Sequence, residues 1–150
     1  MGKHNNSKYV FTQSNPSVSK KYQIPTGKVA FYSFHPYFSF RYYHINHSKF
    51  THKGFSKRDF DNFFERIHQM SQHTWQEIFG NLKKFFRAHE VNWSETTQKH
   101  GFSHLGRVLS DCPVYQFEIF AECRVFGFFN PDNVFKIVWI DRNHEIYSSN

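Results

Sequence analysis

Residues 114–147, VYQFEIFAECRVFGFFNPDNVFKIVWIDRNHEIY, decide the fold of this chain. The stretch divides into three consecutive strands, 115–121, 124–129 and 134–140. Glu122-Cys123 separates the first two, and Asn130-Pro131-Asp132-Asn133 separates the last two. Phe, Val, Ile, Tyr and Trp fill the runs because aromatic and β-branched side chains fit a pleated, half-buried surface. Asn, Pro and Asp fill the gaps because they favour turns. In the last run Val134, Lys136, Val138 and Ile140 are expected on one face, and Phe135, Ile137 and Trp139 on the other. Both faces are apolar, which describes a central strand covered on both sides, with Lys136 emerging near its start.

Working towards the N-terminus, two amphipathic helices precede the strands. Ser56 caps the first, with Asp59 in the reciprocal position. Phe60, Phe63, Phe64, Ile67 and Met70 recur at helical spacing. Thr74 caps the second with Glu77, and Trp75, Ile78, Phe79, Leu82, Phe85 and Phe86 form its apolar stripe. Lys83, Lys84 and Arg87 make a basic stripe near its C-terminal end, where cations suit the helix dipole. Residues 90–112 read as irregular, with room for a short helix. Earlier still, residues 29–45 are aromatic and β-prone, and Pro36 places the start of a strand after it, at 37–45. Arg41 and Tyr43 are expected on the exposed face of that strand, and Phe38, Phe40 and Tyr42 on the core face. Together these elements predict an α+β domain over residues 29–150. Its antiparallel sheet, a three-stranded C-terminal meander plus an N-terminal strand, packs on a helical hairpin.

A chain of 150 residues suffices for one core, and with 20 Phe that core has to be aromatic. Cys112 and Cys123 read as reduced, packed thiols, consistent with a cytoplasmic protein. No apolar run approaches a membrane span, and the N-terminus lacks a secretory hydrophobic segment. The net charge of +7 is unevenly spread. Residues 1–58 hold ten Lys/Arg and no Asp or Glu; the remainder holds nine basic and twelve acidic residues. Residues 1–28, rich in Asn, Ser, Lys and Gln, read as a flexible basic segment. A run of cations without anions points to an anionic partner, nucleic acid first, an acidic antitoxin-like protein or a membrane surface behind it, or else to a tail that only aids solubility.

The layout, a helical hairpin followed by a meander in a small basic domain, resembles the RelE/ParE superfamily of bacterial toxins. The resemblance spans about residues 56–147. Arg124 opens the strand RVFGFF, and the tail after FKIVWID supplies Arg142, His144 and Tyr147. Here the tail runs Arg142-Asn143-His144, with Tyr147 five residues after Arg142, and 90–112 is longer than the usual connection. The resemblance implies metal-independent cleavage of mRNA, often ribosome-bound, and a cognate acidic antitoxin as partner. Such cleavage needs no cofactor. A base takes the 2′-hydroxyl proton, cations hold the phosphorane charge and an acid protonates the departing oxygen. Histidine suits the proton transfers and arginine the phosphate. Arg124 is therefore the expected phosphate clamp, His144 or His89 the acid/base, and Tyr147 a stacking or hydrogen-bonding partner. Arg41, Tyr43, Lys83, Lys84, Arg87 and Arg142 are the expected nucleic-acid contacts.

Plainer readings stand beside these. Arg124 could pair with Glu118 or Glu122 across a hairpin, His89 could be the polar end of a helix, and His144 and Tyr147 could cap the sheet. His44, His47, His52, His100 and His104 invite a metal reading, but their spacings match no ordinary site. A non-catalytic protein of phage or mobile-element origin, binding nucleic acid or inhibiting a host nuclease, is the alternative function.

Overall fold

The computed structural model describes residues 34–129 and 133–147. The basic segment 1–28, the first residues of the aromatic run 29–45 and most of the turn 130–133 lie outside the described residues. A mixed five-stranded sheet is built from β1 (Tyr37–Ser39), β2 (His89–Glu90), β3 (Val114–Phe120), β4 (Cys123–Phe129) and β5 (Val134–Asp141). Its order is β1-β5-β4-β3-β2. The meander is antiparallel as its sequence demanded, whereas β1 joins β5 in parallel, with Tyr37 opposite Val134 and Ser39 opposite Lys136. The first strand is shorter than 37–45 because the chain leaves the sheet after Ser39. The Tyr43 amide bonds the Phe40 carbonyl, and the His44 amide bonds the Val138 carbonyl.

Helix α1 (Lys57–Ser71) starts at the foreseen capping box. The Ser56 hydroxyl accepts from the Asp59 amide, and the Asp59 carboxylate accepts from the Ser56 amide. Thr74 and Glu77 cap α2 (Trp75–Phe79) in the same way. The second helix then breaks. The Gly80 and Leu82 amides both bond the Glu77 carbonyl, and α3 (Lys83–Phe86) begins as a separate turn. A short α4 (Arg107–Ser110) and three 3-10 turns fill the loops.

These elements enclose two cores, one on each face of the sheet. Phe63, Met70, Trp75, Ile78 and Phe86 from the helices meet Tyr115, Phe117, Val125, Phe135 and Ile137. On the other face Phe50, Val91, Phe102 and Ile146, all from loops and the tail, cover Val114, Phe126, Phe128, Val138 and Trp139. Strict alternation would put Val138 and Trp139 on opposite faces. A bulge prevents it: Phe126 pairs with Trp139 and Gly127 with Ile137, so Val138 is the extra residue, and both side chains enter the loop-covered core. Lys136 is 7 % exposed, so it does not emerge at the strand start. Phe64 is 67 % exposed and leaves the α1 stripe. Cys112 and Cys123 are free thiols, and burial pushes Cys123 up to about 12, so it is no nucleophile at neutral pH.

Three histidines of the loop-covered side cluster at Trp139: His104 stacks on the indole, His47 lies tilted to it and His44 Nδ1 accepts from the indole Nε1. His44 and His104 lie 4.4 Å apart, His44 and His47 5.0 Å, and His104 stands 5.8 Å from the indole. Burial lowers the pKa of His47 and His104, and their imidazole neighbours lower both further. The folded state thus binds protons less readily than the unfolded chain. Stability is full above the ordinary histidine value of 6.5 and falls as pH drops through it. The thermal midpoint should decline between pH 7.5 and pH 5 and decline less steeply in His104→Gln; equal slopes would refute the assignment.

Candidate functional site

The two faces differ in what they carry. On the helix side β3 and β4 are apolar throughout. On the loop side Gln116 and Glu118 alternate along β3, and Arg124 and Phe126 lie opposite Glu118 and Gln116 on β4. Asp141 pairs with Arg124 at the end of β5. Glu118, Arg124 and Asp141 therefore form a row of alternating charge across three strands. The tail 142–147 turns back over this row because Asp141, 1 % exposed, accepts from the Glu145 amide at 2.9 Å and the Ile146 amide at 2.7 Å. Burial holds the Asp141 carboxyl above its ordinary value, against the pull of these amides. Ile146 is buried beside Phe126, and its carbonyl accepts from the Thr97 amide.

That return path brings together residues far apart in sequence. The Tyr147 ring lies 6.4 Å from Phe126, 5.6 Å from His144 and 6.2 Å from His89. His89 arrives on the two-residue strand β2, opposite Gln116. Its Nδ1–H donates to the Glu90 carbonyl at 2.7 Å, which leaves Nε2 as the acceptor for the Gln116 amide at 2.8 Å. Gln116 is 3 % exposed and its Oε1 has no hydrogen-bond partner. When His89 takes a proton both ring nitrogens donate. A turn of the Gln116 amide then offers Oε1 as acceptor, so one side chain serves both protonation states.

Three of the four residues expected to act in catalysis thus share one face: His89, His144 and Tyr147. Arg124 lies on the same face but underneath. It is 4 % exposed, with Nη1 donating to the Ala121 and Cys123 carbonyls and Nη2 paired to Glu118 at 3.2 Å, the hairpin pairing set out above as its plainer reading. Of the expected nucleic-acid contacts, Lys83 and Lys84 stand exposed on α3 and Arg87 exposed at its end. Arg41 is exposed and lies over the Tyr42 ring. Tyr43 is not on an exposed strand face. It is half-buried, its hydroxyl donates to His52 Nδ1 and accepts from the His52 amide, and it packs on the helix-side core. Phe40, expected in the core, is exposed instead, because the strand ends before it. Arg142 is held by Asp59 at 2.7 Å and, with Asn143, lines an open cleft of about 630 Å³ beside the β3–β4 turn. The Ser56 amide and the Arg142 guanidinium hold the Asp59 carboxyl below its ordinary value.

Gln116 and Glu118 escaped sequence reasoning as members of the site. The signal available was two polar residues two apart in the otherwise apolar run VYQFEIF. Among the described residues no group of three His, Cys, Asp or Glu is placed to hold a metal ion, and no helix is long and apolar enough to cross a membrane. The chain matches no protein-family model, no curated protein and no solved structure.

Proposed function

We propose that the face bearing His89, Tyr147 and His144 cleaves single-stranded RNA without a metal, as an endoribonuclease of the RelE-like toxin type. The observation that carries this reading is the pair of imidazoles, His89 and His144, that both lie against one tyrosine ring, Tyr147. Each histidine is suited to one proton, His89 through Nε2 once that nitrogen gives up its bond to Gln116. One withdraws it from the 2′-hydroxyl, whose oxygen attacks the adjacent phosphorus. The other delivers a proton to the departing 5′-oxygen, leaving a 2′,3′-cyclic phosphate and a 5′-hydroxyl. Tyr147 offers a ring on which an unpaired base can stack. Exposed Lys83 and Lys84 supply sequence-independent attraction for the backbone. An mRNA is the substrate this reading implies, and an acidic antitoxin-like protein the partner for the basic segment.

Labelled single-stranded RNA incubated in EDTA tests it. Wild type should yield cyclic-phosphate ends, and His89→Gln and His144→Gln should each lose about 10²-fold or more in rate while still binding RNA. Salt-sensitive binding without cleavage by wild type would replace the enzyme with a nucleic-acid-binding module, the alternative that the exposed cations also support.

A further inference from the structure

We infer that Arg87 is the residue that grips a phosphate on this face, an inference that rests on the RNA reading above. Glu118 is the common partner of three guanidinium groups: Arg87 Nε at 3.0 Å, Arg124 Nη2 at 3.2 Å and Arg66 Nη2 at 3.6 Å. With Asp141 beside Arg124, two carboxylates face three guanidinium groups, which leaves one positive charge in excess at the edge of the sheet. Two of the three cations are spent inside the protein. Arg66 donates through Nε to the Ile119 carbonyl and through Nη1 to Gln69, and lies over the rings of Phe85 and Phe86. Arg124 is buried with Nη1 on two carbonyls. Arg87 differs: its side chain is 66 % exposed, and Glu118 takes Nε while both terminal nitrogens remain for a ligand. A guanidinium anchored by one nitrogen and open at the other two is aimed, and its planar fork fits two oxygens of a phosphodiester.

The backbone adds an independent observation. Arg87 closes α3 with φ 46° and ψ 40°, the left-handed conformation in which glycine is unstrained and a residue with a Cβ is not. Arg87 and His144 (φ 57°) are two of the four described non-glycine residues with positive φ. A side chain retained where glycine would sit without strain points to use of that side chain. Arg87 also follows the exposed Lys83 and Lys84 and precedes His89 by two residues in the chain.

Arg87→Gly separates a clamp from a structural ion pair. Loss of a stabilising pair with Glu118 would lower the thermal midpoint. A clamp held against backbone strain predicts a midpoint equal to or above that of wild type. It also predicts affinity for a single-stranded 12-mer RNA lower by about tenfold or more, and a salt dependence of binding shallower by about one ion. Arg87→Lys, which keeps the charge and loses the fork, should recover only part of the affinity. With inorganic phosphate as the probe, the rise in midpoint given by wild type should vanish in Arg87→Gly; a rise with phosphate but no RNA binding would assign the site to the free ion and overturn the RNA clamp. RNA affinity within twofold of wild type in Arg87→Gly would also overturn it, as would absence of binding by wild type. Arg87-dependent binding without cleavage would keep the clamp and remove the ribonuclease; cleavage unaffected by Arg87→Gly would do the reverse.

Discussion

Gly127→Ala is expected to destabilise the protein by about 3 kcal/mol or more. Gly127 lies in β4 between Tyr115 and Ile137, immediately after the register shift that admits Val138. A Cβ there would stand 2.1 Å from the Lys136 carbonyl oxygen and 2.7 Å from the Phe135 ring. The nearer obstacle is backbone in a central strand, so no side-chain rotation relieves it. Either β5 moves away from β4 or the bulge is lost. Losing the bulge would turn Trp139 towards the helices and open both cores. Urea unfolding of Gly127→Ala against wild type measures the cost, and a difference below about 0.5 kcal/mol would show that the two strands do not approach as described.

Asp141→Ala should act on stability and on the site together. Removing the carboxylate strands the amides of Glu145 and Ile146, the latter buried, and removes one of the two carboxylates flanking Arg124. A cost of about 2–4 kcal/mol follows from orphaning these groups. The tail carries His144 and Tyr147, so its release should also abolish whatever the face does, even where the remaining fold persists at low temperature. Asp141→Asn, which keeps one acceptor oxygen, should fall between. Hydrogen exchange at the Ile146 amide reports the tail directly, and protection unchanged in Asp141→Ala would sink this account of how the tail is anchored.

Both substitutions act at the C-terminal meander, and that region shows where local chemistry stops being informative. The strand order 3-4-5 followed from turn residues and β-prone runs. Both capping boxes, Ser56 with Asp59 and Thr74 with Glu77, were visible as well, because a cap is satisfied within four residues. The two-sided burial of β5 was legible in its apolar faces.

Other features depended on contacts made across the molecule. Val138 bulges next to the Gly127–Ile137 pair, where β4 carries no side chain and the two backbones approach closely, a fact about two strands and not about either alone. Leu82 would extend α2 by periodicity, yet the turn at Gly80 ends the helix. The strand after Pro36 stops at Ser39 because Tyr43 folds inward to bond His52, nine residues on. Arg124 looked like an available cation and is consumed by Glu118 and two carbonyls, while Arg87, one of several surface cations in sequence, keeps its fork free. His89 and Tyr147 meet only because Asp141 turns the tail back over the sheet. What the sequence by itself determined is therefore the set of elements and the faces they bury, since periodicity and capping are short-range. Register, the path of the tail and the identity of the residues that share the loop-covered face were decided by the tertiary structure, because each depends on pairings between elements that no single element's pattern contains.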